Sequence, residues 1–355
     1  MSDTLDFLDI PNPAGGVWRI ARRRRAATAE GGNAPGLVWL GGFASDMDGT
    51  KASFLDEWAK ARGRAFLRFD YSGHGRSAGR FEEGCIGDWL EQSLAVFERS
   101  TQGPQILIGS SMGGWIALLL ARRLAEKGES ARLAGLILLA PAVDFTEALM
   151  WEGFDEATRR ELLEKGVLPA KEPDHGPVTR RLIEEGRHHL LLGGLMRAHA
   201  RVHILQGMRD DAVPWRHALT IVEHLNADPV TLTFIADGDH RLSRPEDLAQ
   251  LAAAVETMSA PRRASRRARF LIDEGGYTAH GRSLLIFLGG IAESSATSSA
   301  RERAKARARQ GGRHSDGAAR PHATPARGSL ADDTATQADL ARRFNVSQST
   351  ISRLI

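Results

Sequence analysis

Gln105-Ile106-Leu107-Ile108-Gly109-Ser110-Ser111-Met112-Gly113-Gly114 decides how this chain is read. A short apolar run enters the glycines, and a longer one, Trp115-Ile116-Ala117-Leu118-Leu119-Leu120-Ala121, leaves them. Strand, tight turn and helix in that order put Ser111 at the apex of a nucleophile elbow, the setting in which G-x-S-x-G carries chemistry. The glycines allow the strained apex and the close strand-to-helix crossing. In a chain with 37 glycines, a chance pentapeptide is the competing reading, and the flanking segments weigh against it.

Outward from the elbow, short apolar runs alternate with helical patterns. Leu37–Leu40, Ala65–Phe69, Leu136–Ala140, Val202–Leu205 and Val230–Ile235 read as strands; 51–62, 87–99, 112–126, 215–225 and 245–257 read as helices. Continuous apolar strands bounded by glycine are buried on both faces, so an α/β fold with a mainly parallel sheet flanked by helices is expected over 1–258. The first 25 residues read as weak strands, with Arg22 to Arg25 either on a solvated edge strand or in a binding patch. Between about 143 and 197 the rhythm breaks. This insertion is either a small helical lid with an apolar inner face over the strand ends, or a surface excursion whose Trp151 and Phe154 pack on the sheet.

A serine hydroxyl needs a base to take its proton and an acid to orient that base. On such sheets the partners follow in the order Ser, Asp or Glu, His, each on a loop after a strand. His240, just beyond the 230–235 strand, meets that requirement; Asp210 or Asp211, beyond 202–205, supplies the acid. His188 and His189 lie near the insertion and are the best decoys. The oxyanion of acyl transfer needs two backbone donors, expected at Met112 and Phe43.

The chain has 355 residues, 42% of them hydrophobic, enough for a large core plus an appendage or a second domain. No apolar run has the length of a membrane span. The single cysteine, Cys85, excludes an internal disulfide, and the acidic N-terminus lacks a leader pattern, so a cytoplasmic protein is expected. No Cys/His cluster has zinc spacing, and no metal or cofactor is expected. Charge is uneven: residues 259–355 carry 17 Lys and Arg against 8 Asp and Glu, while the body is mildly acidic.

Four stretches carry a family resemblance: Leu40-Gly-Gly-Phe-Ala-Ser-Asp-Met-Asp-Gly-Thr-Lys-Ala52, Phe69-Asp-Tyr-Ser-Gly-His-Gly-Arg-Ser77, Gly109-Ser-Ser-Met-Gly-Gly-Trp115 and Gly207-Met-Arg-Asp-Asp-Ala-Val-Pro-Trp215. Together they resemble the α/β-hydrolases grouped with mitochondrial palmitoyl-protein thioesterase, also called mycophenolic acid acyl-glucuronide esterase. The resemblance covers about 1–258. It implies an α/β-hydrolase fold and a serine hydrolase acting on small-molecule or protein-linked acyl esters or thioesters. It also implies a triad of Ser111, Asp210 and His240, with Asp210 in the usual acid position. The insertion matches less well.

The tail reads differently. Thr278–Glu293 resembles the start of the long helix of serine site-specific recombinases, and 336–355 resembles part of their helix-turn-helix, after a basic, low-complexity, largely disordered linker over 259–335. Ser347, Gln348, Ser349 and Arg353 would be the DNA contacts of such a motif, giving at most weak, salt-sensitive binding. The recombinase catalytic domain is absent. Recombinases of this type commonly continue Phe-Glu-Arg-Asp-Leu-Ile-Arg after the equivalent of Glu293; encoded as TTC GAG CGC GAC CTC ATC CGC GC and stripped of one T, that stretch reads Ser-Ser-Ala-Thr-Ser-Ser-Ala, the residues at 294–300. The hypothesis is a recombinase-gene remnant fused partly out of frame, and a gene sequence in which a one-base shift restores no recombinase sequence over 294–330 removes it. The functional alternatives are thus an acyl hydrolase, a DNA-binding protein acting through its tail, and a non-catalytic hydrolase-fold scaffold; the complete Ser–Asp–His order argues against the last.

Overall fold

The computed structural model describes residues 3–170, 176–225 and 227–260, together with the backbone of 283–288. Eleven strands and seven α-helices follow in chain order: β1 (Thr4–Pro11), β2 (Val17–Arg25), β3 (Gly36–Leu40), α1 (Thr50–Ala61), β4 (Phe66–Phe69), α2 (Ile86–Ser100), β5 (Gln105–Ser110), α3 (Met112–Glu126), β6 (Leu133–Leu139), α4 (Glu156–Lys165), β7 (Val167–Leu168), β8 (Val178–Thr179), α5 (Arg180–Gly186), β9 (Val202–Gly207), α6 (Trp215–His224), β10 (Val230–Ile235), α7 (Pro245–Ser259) and β11 (Ser283–Leu288).

The main sheet runs β1-β2-β4-β3-β5-β6-β9-β10-β11. From β4 to β10 neighbours pair in parallel, while β1, β2 and β11 join antiparallel. Every residue of β3, β5 and β9 is buried, as expected of strands covered on both sides. Alternate side chains go to opposite faces. Val38, Leu40, Leu107 and Leu138 meet the apolar faces of α2, α3 and α6. Leu37, Trp39, Ile106 and Ile137 meet α1 and α7. This is the α/β-hydrolase arrangement, and it brings the C-terminal ends of β3, β5, β9 and β10 to one edge.

Two expectations change. The arginine run Arg22–Arg25 is on neither an edge strand nor a free patch, because β2 is flanked by β1 and β4. Arg25 is buried and makes two 2.8 Å bonds to Asp56; Arg22 meets Asp6 at 2.6 Å. Counter-charges from neighbouring elements let Arg22 and Arg25 sit inside, as buried charges require, while Arg24 stays exposed. The recombinase-like helix over 278–293 is also corrected where it is described. Ser283–Leu288 is a strand, pairing from Ile235↔Ser283 to Val230↔Leu288. Its unbroken apolar run suits an outer strand whose backbone groups pair with β10. Ser347, Gln348, Ser349 and Arg353 lie outside the described residues. Among the described residues no helix is long and apolar enough to cross a membrane.

Candidate active site

Ser111 stands between β5 and α3 with φ 53° and ψ −118°. A non-glycine residue there is strained by roughly 1–3 kcal/mol. Surrounding bonds hold it: Ser111 N–H donates to Leu139 O at 2.9 Å, and Ser111 O accepts from Gly114 and Ala142. The flanking glycines have a steric cause. A β-carbon on Gly109 would lie 2.2 Å from Gly113 O, and one on Gly113 would lie 2.1 Å from Leu40 O. The helix therefore leaves the strand in contact with it, and the serine is lifted to the strand-end edge.

The other elements bring their residues to the same point. His240 follows β10 and Asp210 follows β9. His240 Nε2 stands 3.1 Å from Ser111 Oγ, and its Nδ1 stands 2.9 Å from Asp210 Oδ2. With the proton on Nδ1, the ring donates to Asp210 and leaves Nε2 to accept from the serine hydroxyl. The Asp210 side chain is closed to solvent, whereas Asp211 is exposed. Asp210 Oδ1 accepts from the amides of Ala212 (3.0 Å) and Val213 (2.7 Å), and Oδ2 also accepts from Gln206 Nε2 at 3.1 Å. Those donors fix the orientation of the carboxylate. Gln206 was not singled out from the sequence; a polar residue closing the apolar run Val202–Leu205 was the available signal.

The expected oxyanion donors flank Ser111. Met112 opens α3, so its amide is among the helix donors with no partner inside the helix. The Gly42–Phe43 segment lies alongside: a β-carbon on Gly42 would be 3.4 Å from Ser111 Cβ. Two hydrogen bonds fasten that loop from below. Tyr71 OH donates to Gly41 O at 3.3 Å, and Ala44 N–H donates to His74 Nε2 at 3.3 Å. His74 Nδ1–H donates to Ser72 O at 3.2 Å, so the ring is neutral, and burial lowers its pKa to about 4. Neither residue was picked out as a site residue, although a histidine between two glycines after β4 was a visible signal.

The insertion over 143–197 shows features of both readings. Phe145 is buried, with its ring 5.7 Å from both Phe43 and Trp115. Trp151 is half-buried, and Arg159 and Arg187 stack on its ring at 5.1 and 4.9 Å. Farther along, the insertion touches the oxyanion loop. A β-carbon on Gly176 would stand 2.4 Å from the Phe81 ring and 3.2 Å from Ala44 Cβ. His189 is engaged elsewhere: Nε2 meets Glu185 at 2.6 Å, and its carbonyl accepts from Trp115 Nε1.

Known proteins share this organisation. A family model described as serine aminopeptidase, S33, matches residues 37–173. Human mitochondrial palmitoyl-protein thioesterase ABHD10 is 33% identical over 231 residues, 64% of this chain and 74% of the human protein. The solved structure of mouse alpha/beta hydrolase domain-containing protein 10 is 30% identical, with a TM-score of 0.63, over 72% of this chain and 98% of that one. A crystal structure of a hydrolase from Agrobacterium vitis is 41% identical, with a TM-score of 0.69, over 73% of this chain and 100% of that one. The elbow, the strand-end loops and these likenesses agree: the chain belongs to the α/β-hydrolase family that includes ABHD10.

Proposed function

We propose that this protein is a serine hydrolase that cleaves acyl esters or thioesters through an acyl-enzyme on Ser111. The observation that carries the proposal is the hydrogen-bonded chain from Ser111 through His240 to Asp210. The palmitoyl-protein thioesterase relatives support an acyl ester or thioester as substrate.

The steps follow from the positions. His240 Nε2 takes the Ser111 proton as Oγ attacks the acyl carbon, and Asp210 stabilises the imidazolium that results. The carbonyl oxygen becomes an oxyanion facing the Met112 and Phe43 amides, each worth about 3 kcal/mol of barrier. Collapse expels the alcohol or thiol, which takes the proton from His240. Water then attacks the acyl-enzyme with the same histidine as base, releasing a carboxylic acid and restoring Ser111.

A fluorophosphonate probe tests the reading, because it traps a serine that a histidine activates. Labelling of the native chain and none of Ser111→Ala is expected. No labelling, or equal labelling of both, overturns the enzyme reading. A p-nitrophenyl ester series run beside acyl thioesters then sets the acyl length, and a preference for short chains counts against a palmitoyl-like substrate.

A further inference from the structure

Away from Ser111, the later turns of α3 and the stretch returning from the insertion enclose a groove of about 370 Å³. That volume falls within the usual range for small-molecule sites. Leu118 and Arg122 stand one turn apart on α3 and share a face. Leu190, Leu195, Met196, Arg197 and His199 complete most of the wall.

Two properties of the wall point to the same ligand chemistry. One is apolar surface left open: Leu195 is 74% exposed and Leu190 is 37% exposed, beside the buried floor residue Leu191. The other is positive charge that is only loosely balanced: Glu126 pairs with Arg122 at a distance, and the carboxylate of Asp144 behind the wall feels its charge. Among the described residues no acidic side chain lines the groove. The Arg122 side chain is 41% exposed, and its ion pair with Glu126, at 3.8 Å, is too long for a hydrogen bond. Arg197 is exposed at the rim and has no acidic partner among the described residues.

We propose that this groove binds an unbranched fatty carboxylate, with the chain over Leu118, Leu190, Leu195 and Met196 and the carboxylate at Arg122 and Arg197. The exposed guanidinium groups of Arg122 and Arg197 offer a carboxylate charge-assisted bonds, stronger than neutral ones. The alkyl chain covers the open leucines. A neutral alcohol of equal length satisfies only the apolar half, and a quaternary ammonium is repelled by the arginines. The walls are well founded: Asp144 accepts from the amides of Leu191 (2.9 Å) and Leu192 (2.7 Å), and Met196 N–H donates to His224 O.

Calorimetric titration of the full chain with dodecanoate, kept below its micelle concentration, tests the site. Ser111→Ala is carried throughout, so that the readout is binding and does not depend on whether Ser111 reacts with acyl substrates. Saturable binding is expected. Leu195→Asp, and separately Arg122→Gln with Arg197→Gln, should each weaken it at least about ten-fold without lowering the melting temperature. Dodecanol and dodecyltrimethylammonium should bind about ten-fold more weakly or worse. Absence of binding, binding unchanged in both variants, or equal binding of all three amphiphiles overturns the proposal. Dodecanoate taken up only elsewhere, for instance near Ser111, is revealed by its indifference to both variants and counts equally against it.

Discussion

The Ala44 amide donates to Nε2 of His74 across 3.3 Å, and Ala44 is held at a φ of 55°. This places a buried, neutral imidazole beneath the loop that carries the Phe43 amide. Tyr71, Phe81 and Trp89 surround that ring, with centroids 4.8–5.4 Å away. Phenylalanine at 74 keeps a ring in the cage and removes the acceptor, freeing Ala44 from its strained conformation. His74→Phe should therefore lower kcat by about 10- to 100-fold, with KM within about two-fold, since the oxyanion contact is made mainly in the transition state. His74→Gln, which restores an acceptor, should recover part of the loss. Steady-state kinetics on an acyl thioester, with melting temperatures beside them, check this; a loss confined to KM excludes the positioning role.

Asp210 and Asp211 are adjacent, but only Asp210 meets His240. Asp210→Asn places an amide where the carboxylate accepted from the ring and from Val213, which favours the wrong histidine tautomer. By analogy with other triads kcat should fall about 10⁴-fold. Asp211 is exposed, so Asp211→Asn should stay within about two-fold. Measuring kcat for both variants decides which acid serves; a large loss in Asp211→Asn reverses the assignment.

Gly113 tests the elbow as architecture. A β-carbon there would lie 2.1 Å from Leu40 O and 2.6 Å from Gly41 O, both backbone atoms that cannot turn aside. Gly113→Ala should destabilise by more than about 3 kcal/mol or prevent folding, as severe core overpacking does. Gly194, with nothing within 4 Å, is the control, and Gly194→Ala should leave the urea midpoint unchanged. A Gly113→Ala protein with native stability contradicts the crossing described above.

These outcomes also mark what the sequence could carry. The parallel core was legible because β3, β5 and β9 are fully buried, so burial imprinted continuous apolar runs. That Ser111 and His240 would meet was legible because chain order on such sheets is nearly fixed. Spacing alone could not separate Asp210 from Asp211, because the choice depends on which side chain the turn after β9 points inward. His74 was hidden because its partner lies 30 residues earlier, across the sheet edge. The arginines of β2 were misread because their counter-ions, Asp6 and Asp56, come from two other elements. Residues 283–288 were misread because a short apolar run has no periodicity that separates helix from strand, and the resemblance favoured helix.

Stability should also depend on pH in a way that follows from burial. Desolvation lowers the pKa of both His74 and His203 from the usual 6.5 to about 4. A histidine held neutral in the native state contributes full stability above the unfolded pKa and loses it as pH falls toward the folded one. Asp70 opposes this. Burial raises its pKa from 3.8 to about 6, despite bonds from the Arg76 and Met47 amides, so falling pH through that window favours the native state. These three groups together contribute a net loss on the order of 2 kcal/mol between about pH 7 and pH 5, with His217, whose pKa burial lowers, adding to it and Asp88 and Asp144, whose pKa values burial raises, opposing it. Urea titrations at the two pH values measure it. Among the described residues His203 bonds to Thr233 alone, at 2.9 Å, so His203→Asn removes one titrating group while keeping a polar partner for that hydroxyl. The variant should lose much less stability than the native chain on the same acidification. An equal loss in both would show that His203 is not held neutral in the fold.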